Sequence, residues 1–218
     1  MKVKLISYTK SADPSEDKSI QDIVSYCARV SNPSNQNMVE SNEKLIKYLM
    51  KHEHWSPFEM VNICLEIETT RDIARQLLRH RSFSFQEFSQ RYAVANLGFE
   101  QREARLQDSK NRQNSIEVEA DNEIHDEWKT QQEMVSKIAE TAYHWAIEKG
   151  IAKEQARSVL PEGMTISRLY MNGTLRSWIH YIKVRSGVET QKEHRDVAIA
   201  CLNEISIIFP FIKEIIVH

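Results

Sequence analysis

Apolar positions in this chain follow two rhythms, and their order predicts the elements. Residues 2–9 alternate loosely and are rich in β-formers, which predicts a short strand. From Ser19 to Val30, Ile20, Ile23, Val24, Cys27 and Val30 recur at helical spacing. The cluster Ser31-Asn32-Pro33-Ser34-Asn35 breaks that helix. A second helix is expected over 42–52, with Leu45, Ile46 and Leu49 inward. Val61, Ile63, Leu65 and Ile67 then alternate with Asn62, Cys64, Glu66 and Glu68, the pattern of a half-buried strand. Thr69 or Thr70 can cap a helix over 71–79. Residues 96–120 are polar and aperiodic and read as a surface excursion. A long helix follows over about 122–149, closed by Gly150, and a shorter one over 151–159 stops before Pro161. Residues 163–171 predict a strand and Asn172-Gly173 a turn. Thr174 can cap a helix to about Arg185, and Thr190-Gln-Lys-Glu193 reads as a capping box opening a last helix to about Phe209. The sum is an α+β chain, a helix-dominated single domain over 1–218 with a small, mostly antiparallel central sheet.

Composition narrows the function classes. The 218 residues are 41% apolar and 28% charged, which suits a globular domain with a real core. Five Gly and five Pro agree with a helix-rich chain. A net charge of -2 argues against bulk electrostatic binding of nucleic acid, so any anion must be held locally. Cys27, Cys64 and Cys201 stand apart among apolar neighbours without a CxxC, as reduced thiols of a cytoplasmic protein do. The start lacks the apolar run of a signal peptide, and no apolar run of 18 residues suggests a membrane span.

Candidate chemistry concentrates in Arg79–Tyr92. Arg79, Arg81 and Arg91 alternate there with His80, Glu87, Ser89 and four aromatics. Buried charge costs several kcal/mol per ion unless paired, so a core element would not tolerate the mixture. A solvated loop would not need the aromatics. The stretch reads as a half-buried wall for something flat and anionic. Gln76, Arg79 and His80 also fall on one face of a helix end. His52-Glu53-His54 lacks the i, i+4 spacing of a zinc helix, and no metal is expected. No Cys has a neighbouring His, so structural thiols are expected rather than a nucleophile. No Gly-rich phosphate loop occurs, which leaves arginine forks to hold phosphate. A solvated basic face explains most surface arginines; Arg79, Arg81 and Arg91, set among Phe and Ser, read as ligand contacts.

These residues form a recognisable set. Arg79-His80-Arg81, seven residues and then Ser89 match the R-H-R-x7-S signature of the flavin-dependent thymidylate synthases. The chain as a whole resembles that family. His54-Trp55-Ser56-Pro57-Phe58-Glu59 is similar to its H-x-[ST]-P-F-E segment, Ala28-Arg29-Val30-Ser31 to its A-R-V-S, and Ala156-Arg157-Ser158-Val159-Leu160-Pro161 to its A-R-x-x-L-P. The motifs keep the family's order and cover most of residues 20–200.

The resemblance implies reductive methylation of dUMP to dTMP, with methylenetetrahydrofolate as one-carbon donor, NADPH as reductant and FAD as hydride carrier. It implies a homotetramer with flavin sites at subunit interfaces. By position, Ser31, His54, Ser56, Glu59, Arg79, His80, Arg81, Glu87, Thr174, Leu175, Arg176 and His180 would serve FAD. Gln76, Arg79, Glu87, Ser89, Gln90, Arg91 and Arg157 would serve dUMP, with Ser89 and Arg91 on its phosphate. Arg185 would face the uracil ring and stabilise its ionised N3 as the catalytic cation. Gln86, Thr174 and His180 stand where the family often carries Asn. Two other readings are open at this point: a flavin- and folate-dependent pyrimidine hydroxymethylase, and a non-catalytic nucleotide- or RNA-binding module. The net negative charge counts against the second.

Overall fold

The structure, a computed structural model, describes residues 1–13, 15 and 18–215. In order, the elements are β1 (Lys2–Tyr8), α1 (Ile20–Ala28), α2 (Asn42–Lys51), β2 (Asn62–Thr70), α3 (Arg71–Leu77), β3 (Ser84–Glu87), β4 (Arg105–Gln107), β5 (Ser115–Glu117), α4 (Ile124–Glu148), α5 (Lys153–Ala156), β6 (Ile166–Thr174), α6 (Leu175–Arg185) and α7 (Lys192–Ile208). The main sheet has the order β1-β2-β6-β3, and β4 pairs with β5 in a separate hairpin. The strand ends show the sense of pairing. Thr9, just past β1, donates to the carbonyl of Asn62 at the start of β2. Leu175, just past β6, donates to Val61, just before β2. Phe88, just past β3, donates to Arg168 near the start of β6. Each neighbour therefore runs antiparallel.

The chain divides into two compact units. One holds Lys2–Ile67, His80–Gln86 and the chain from Tyr170 on. Its core follows from the alternation in β2: Ile63, Leu65 and Ile67 are fully buried, while Cys64 and Glu66 on the other face are half-buried. Trp178 of α6 is also fully buried, and its indole N–H donates to the Ile63 carbonyl at 3.0 Å, so a large apolar group enters the core without stranding its polar atom. Ser19 begins α1 with a capping box, taking the Asp22 N–H while Asp22 takes the Ser19 N–H. The sequence reading had not assigned that cap.

The other unit holds Glu68–Arg79 and Glu87–Leu169. Tyr143, Ala146 and Ala156 form a small core there, with Val94, Ala95, Ile147 and Leu160 packed on it. α4 ends as predicted at Gly150. Its φ of 76° is left-handed, and Gly150 and Ile151 donate back to Ile147 and Ala146, the paired bonds of a Schellman ending.

Several expectations are corrected. Asn172-Gly173 lies inside β6, not in a turn. Gly173 is needed because an added Cβ would meet Phe83 Cδ1 at 2.4 Å, so the glycine admits an aromatic ring rather than a bend. Ser84–Glu87, to which the apolar pattern assigned no element, is the edge strand β3. α3 stops at Leu77, so Arg79 and His80 lie beyond the helix instead of sharing a face with Gln76. Thr70 stands at the N-cap of α3, but its hydroxyl donates to Asp72 and caps no backbone N–H. The Thr190 box does not form: Gln191 takes the N-cap position of α7, and Thr190 is buried.

The polar stretch 96–120 contains the β4–β5 hairpin. The Arg102 guanidinium bonds Thr70 Oγ1 and both Asp72 oxygens at 2.8–2.9 Å. The buried Gln132 amide bonds the Arg102 backbone in both directions at 2.8 Å. Aperiodicity hid this order because side chain–backbone bonds hold it, not an apolar stripe.

Candidate functional site

In the unit that contains α6, the site begins at that helix's N-terminus. Thr174 caps the helix by accepting from the Ser177 N–H at 3.2 Å. Its hydroxyl donates to Glu59 Oε2 at 2.7 Å, and Arg176 donates to Glu59 Oε1 at 2.8 Å. The Thr174 hydrogen bond, with Arg176 behind it, holds the Glu59 carboxyl below the usual carboxylate range despite partial burial. Glu59 itself sits in a 3-10 turn, Ser56–Met60, that Pro57 favours and the buried Phe58 anchors.

Beside this triad lies a cavity of about 590 Å³. Arg176, His180, Lys183 and Val184 line it from α6, Trp55 and Glu53 from the loop before the 3-10 turn, and Ser82 from the segment after Arg81. That size suits a sizeable cofactor or substrate. Glu53 has a left-handed φ of 55° and lies 3.8 Å from the Lys183 ammonium. Sequence reasoning named Arg176 and His180 and missed Trp55, Glu53 and Lys183. Helical spacing was the available signal for Lys183, since 176, 180 and 183 share a face.

The other flavin candidates of this unit are spread. His54 is exposed and sets its ring edge-on to Tyr48 at 5.9 Å. Ser56 and Arg81 are exposed. Ser31 is exposed and does not line the cavity. Leu175 is fully buried, and its N–H is already bonded to Val61. His80 is half-buried and accepts from Arg185 Nε at 3.1 Å. Among the described residues no carboxylate lies within salt-bridge distance of Arg185.

The other unit gathers most of the dUMP candidates. Glu87 accepts from Ser167 at 2.8 Å and from Arg71 at 3.4 Å. Ser89 turns the chain, taking the Arg91 N–H on its hydroxyl while its carbonyl takes those of Tyr92 and Ala93. A hydroxyl with this local role and no base beside it is not an activated nucleophile. Gln90 is 3% exposed, and its side-chain N–H2 has no partner. Such an orphan costs about 1–3 kcal/mol unless something binds it. Arg91 ion-pairs with Glu154 at 3.2 Å, and Arg157 donates to the Glu154 backbone carbonyl at 3.3 Å. Glu154 thus joins two of the predicted dUMP arginines, and no spacing in the sequence signals it. Gln76 is half-buried on α3, while Arg79, just past that helix, is exposed.

These features define an α+β protein of which one unit carries a cavity beside a capped helix and a half-buried guanidinium with no carboxylate among the described residues, and the other carries a buried amide N–H2 without a partner. Comparison then gives the family. A profile of the thymidylate synthase complementing protein family matches residues 4–211, and the chain belongs to that family. It is 47% identical over 215 residues to a probable flavin-dependent thymidylate synthase of Paramecium bursaria Chlorella virus 1, covering 98% of this chain and 95% of the relative. It is 49% identical over 202 residues to a flavin-dependent thymidylate synthase of Synechocystis sp., covering 92% of each. Among solved structures, a UMP/dUMP methylase, PolB of Streptomyces cacaoi bound with 5-Br dUMP, superposes with a TM-score of 0.82 at 26% identity, over 98% of this chain and 93% of that one.

Proposed function

We infer that the chain is a flavin-dependent thymidylate synthase that methylates dUMP to dTMP. Family membership over almost the whole chain supports the activity. The observation that carries the chemistry is Arg185: a half-buried guanidinium with no anion among the described residues, free to meet negative charge developing on a uracil ring. Gln90, Ser89, Arg91 and Arg157 are assigned to the nucleotide, with Gln76, Arg79 and Glu87. Glu59, Thr174, Arg176 and His180 are assigned to FAD, with Ser31, His54, Ser56, Arg79, His80, Arg81, Glu87 and Leu175.

The residues present fit FAD. Trp55 offers a flat apolar wall, and Arg176 and Lys183 offer cations to a pyrophosphate. Bound FAD supplies hydride chemistry; the chain orients the nucleotide and fixes positive charge beside it. NADPH and methylenetetrahydrofolate are the assigned co-substrates, and the cytoplasm the assigned compartment. Among the described residues no helix is long and apolar enough to cross a membrane, and all three Cys are free thiols.

The assembly assigned is a homotetramer. Trp128, Val135, Ile138 and Trp145 of α4 support it: they are 44–71% exposed, and their spacings of seven, three and seven form the seam a second copy would cover. In such an assembly the flavin and nucleotide groups need not come from one copy.

The test is a visible absorption spectrum of the purified protein, followed by NADPH oxidation with and without dUMP and mass analysis of the product. A flavin spectrum, dUMP-stimulated oxidation and dTMP support the reading. A colourless protein that takes up no FAD sinks it, and a hydroxymethylated nucleotide replaces its product.

A further inference from the structure

α2 ends on a residue that its backbone does not favour. Glu53 has a left-handed φ of 55°. Its N–H donates to the Met50 carbonyl and that of His54 to Leu49, the same paired ending that Gly150 gives α4. Glycine takes this conformation freely, and a residue with a side chain takes it at a cost. A carboxylate is also the wrong charge at a helix C-terminus, where the dipole is negative. Folding alone therefore argues for glycine at position 53, and the glutamate has to be explained by what its side chain faces.

It faces the cavity and Lys183. The two charges stand 3.8 Å apart, beyond hydrogen-bond length, and both side chains are more than half exposed. Such a pair is weak and readily exchanged. The other cation of the cavity is held differently. Arg176 donates to Glu59 at 2.8 Å, and Thr174 holds the other Glu59 oxygen at 2.7 Å. An anion reaching Arg176 competes with a hydrogen-bonded carboxylate, whereas one reaching Lys183 displaces only a loose contact. Arg176, His180 and Lys183 share one face of α6. At about 1.5 Å per residue, Lys183 lies roughly 10 Å further along the helix than Arg176. The cavity therefore carries one cation at each end of that face, with Trp55 in its wall.

We propose that Lys183 is a cofactor-binding residue that takes a phosphate group, and that Glu53 is the carboxylate this phosphate displaces. The proposal rests on the reading of the chain as a flavin-dependent synthase with NADPH as reductant. FAD carries a diphosphate and NADPH a 2′-phosphate, and both offer an ammonium the same oxyanion. Glu53 then tunes the site: it competes for Lys183 and so lowers affinity for the phosphate. The backbone cost at Glu53 is what the chain bears to keep that competitor in place.

The test uses the full-length protein with Lys183→Met, Glu53→Gln and Glu53→Gly. Dissociation constants for FAD and riboflavin are read from flavin fluorescence, and KM for NADPH and NADH from turnover with dUMP. Lys183→Met should weaken FAD or NADPH by about tenfold and leave the counterpart that lacks the phosphate, riboflavin or NADH, unchanged. The pair that separates identifies the source of the phosphate. Glu53→Gln should tighten the same ligand by about 1.4–5-fold, as loss of an exposed competing charge does. Glu53→Gly should tighten it equally and melt about 2–4 °C above Glu53→Gln, since only glycine relieves the backbone. Unchanged affinity for both FAD and NADPH in Lys183→Met, or an equal loss for riboflavin and NADH, overturns the proposal. So does weaker binding of the phosphate ligand in Glu53→Gln, because Glu53 would then be holding Lys183 in its binding pose. A parent protein that neither takes up flavin nor oxidises NADPH overturns the functional reading instead. Inorganic pyrophosphate, titrated by calorimetry into the parent and Lys183→Met, then decides whether Lys183 holds a phosphate.

Discussion

Removing the Glu154 carboxylate should tighten dUMP binding, although it deletes an ion pair. Arg91 Nε lies 3.2 Å from Glu154 Oε2, and the two side chains are 56% and 48% exposed. If Arg91 holds the dUMP phosphate, this carboxylate competes with the phosphate for the same guanidinium. Glu154→Gln removes the competitor. It spares the Arg157 contact, which goes to the Glu154 backbone carbonyl. An exposed pair of this kind is worth about 0.2–1 kcal/mol, which corresponds to a dissociation constant lower by about 1.4–5-fold. Salt should shrink the difference, since screening weakens the competitor in the parent protein. The assay is a dUMP titration of both proteins, by calorimetry or flavin absorbance, at low and high ionic strength. Arg91→Ala serves as the reference for complete loss of the contact. A fivefold weakening in Glu154→Gln would refute the reasoning: Glu154 would then be holding Arg91 in its phosphate-binding pose. Unchanged affinity in Arg91→Ala would remove the phosphate role altogether.

Arg185→Ala should lower kcat by about 10²–10³ while flavin occupancy by absorbance is kept, because a fixed cation acts on charge that develops only during reaction; equal loss of flavin and turnover would assign Arg185 to cofactor binding. Gly173→Ala should destabilise by about 1–3 kcal/mol in urea melts, since its Cβ would meet a Phe83 ring already packed on Trp178 at 4.8 Å. Phe83→Leu added to it should recover part of that loss, and strict additivity would show that the ring is not the obstacle. Glu59 has a depressed folded-state pKa, so its contribution is complete above its unfolded-state value and lost as pH falls through the folded one. Glu59→Gln should therefore cost stability at neutral pH and narrow its gap to the parent in acid melts; a gap independent of pH would contradict the Thr174 and Arg176 contacts.

How much was legible in the sequence depended on which force shapes each element. Where apolar burial dominates, periodicity sufficed: Ile63, Leu65 and Ile67 marked β2, and Gly150 marked the end of α4. Where polar bonds dominate, it failed. The stretch 96–120 is tied down ahead of its hairpin by bonds from Arg102 to Asp72 and Gln132, which leave no periodic trace. Asn172-Gly173 misled because a turn and a close ring approach both demand glycine, and only the position of Phe83 separates them. The candidate site divided the same way. Motif residues such as Glu59 and Arg176 were visible in order, but their mutual bond crosses 117 positions. Glu154, Lys183 and Trp55 gain their places only when distant segments fold together.

The arginines show what coordinates add to a count of charges. The sequence crowds Arg71, Arg75, Arg79, Arg81 and Arg91 into one segment, and their neighbours singled out Arg79, Arg81 and Arg91 as ligand contacts. The structure sorts them by partner. Arg71 and Arg75 both close on Glu162, Arg102 closes on Asp72, and Arg176 on Glu59. A cation tied to a carboxylate already has a counter-charge, and an anionic ligand there competes with it, as at Arg91 and Glu154. Among the described residues, Arg79, Arg81 and Arg185 have no such carboxylate. Exposure then divides these three. Arg79 and Arg81 are exposed, and water can solvate a free guanidinium there at little cost. Arg185 is half-buried between His80 and the α6–α7 packing, where an unpaired charge is held against its desolvation cost. Folding alone gives no reason to keep it, since an apolar side chain would fill the same place more stably. A reaction that builds negative charge on its substrate would give one, and that is the role proposed for Arg185.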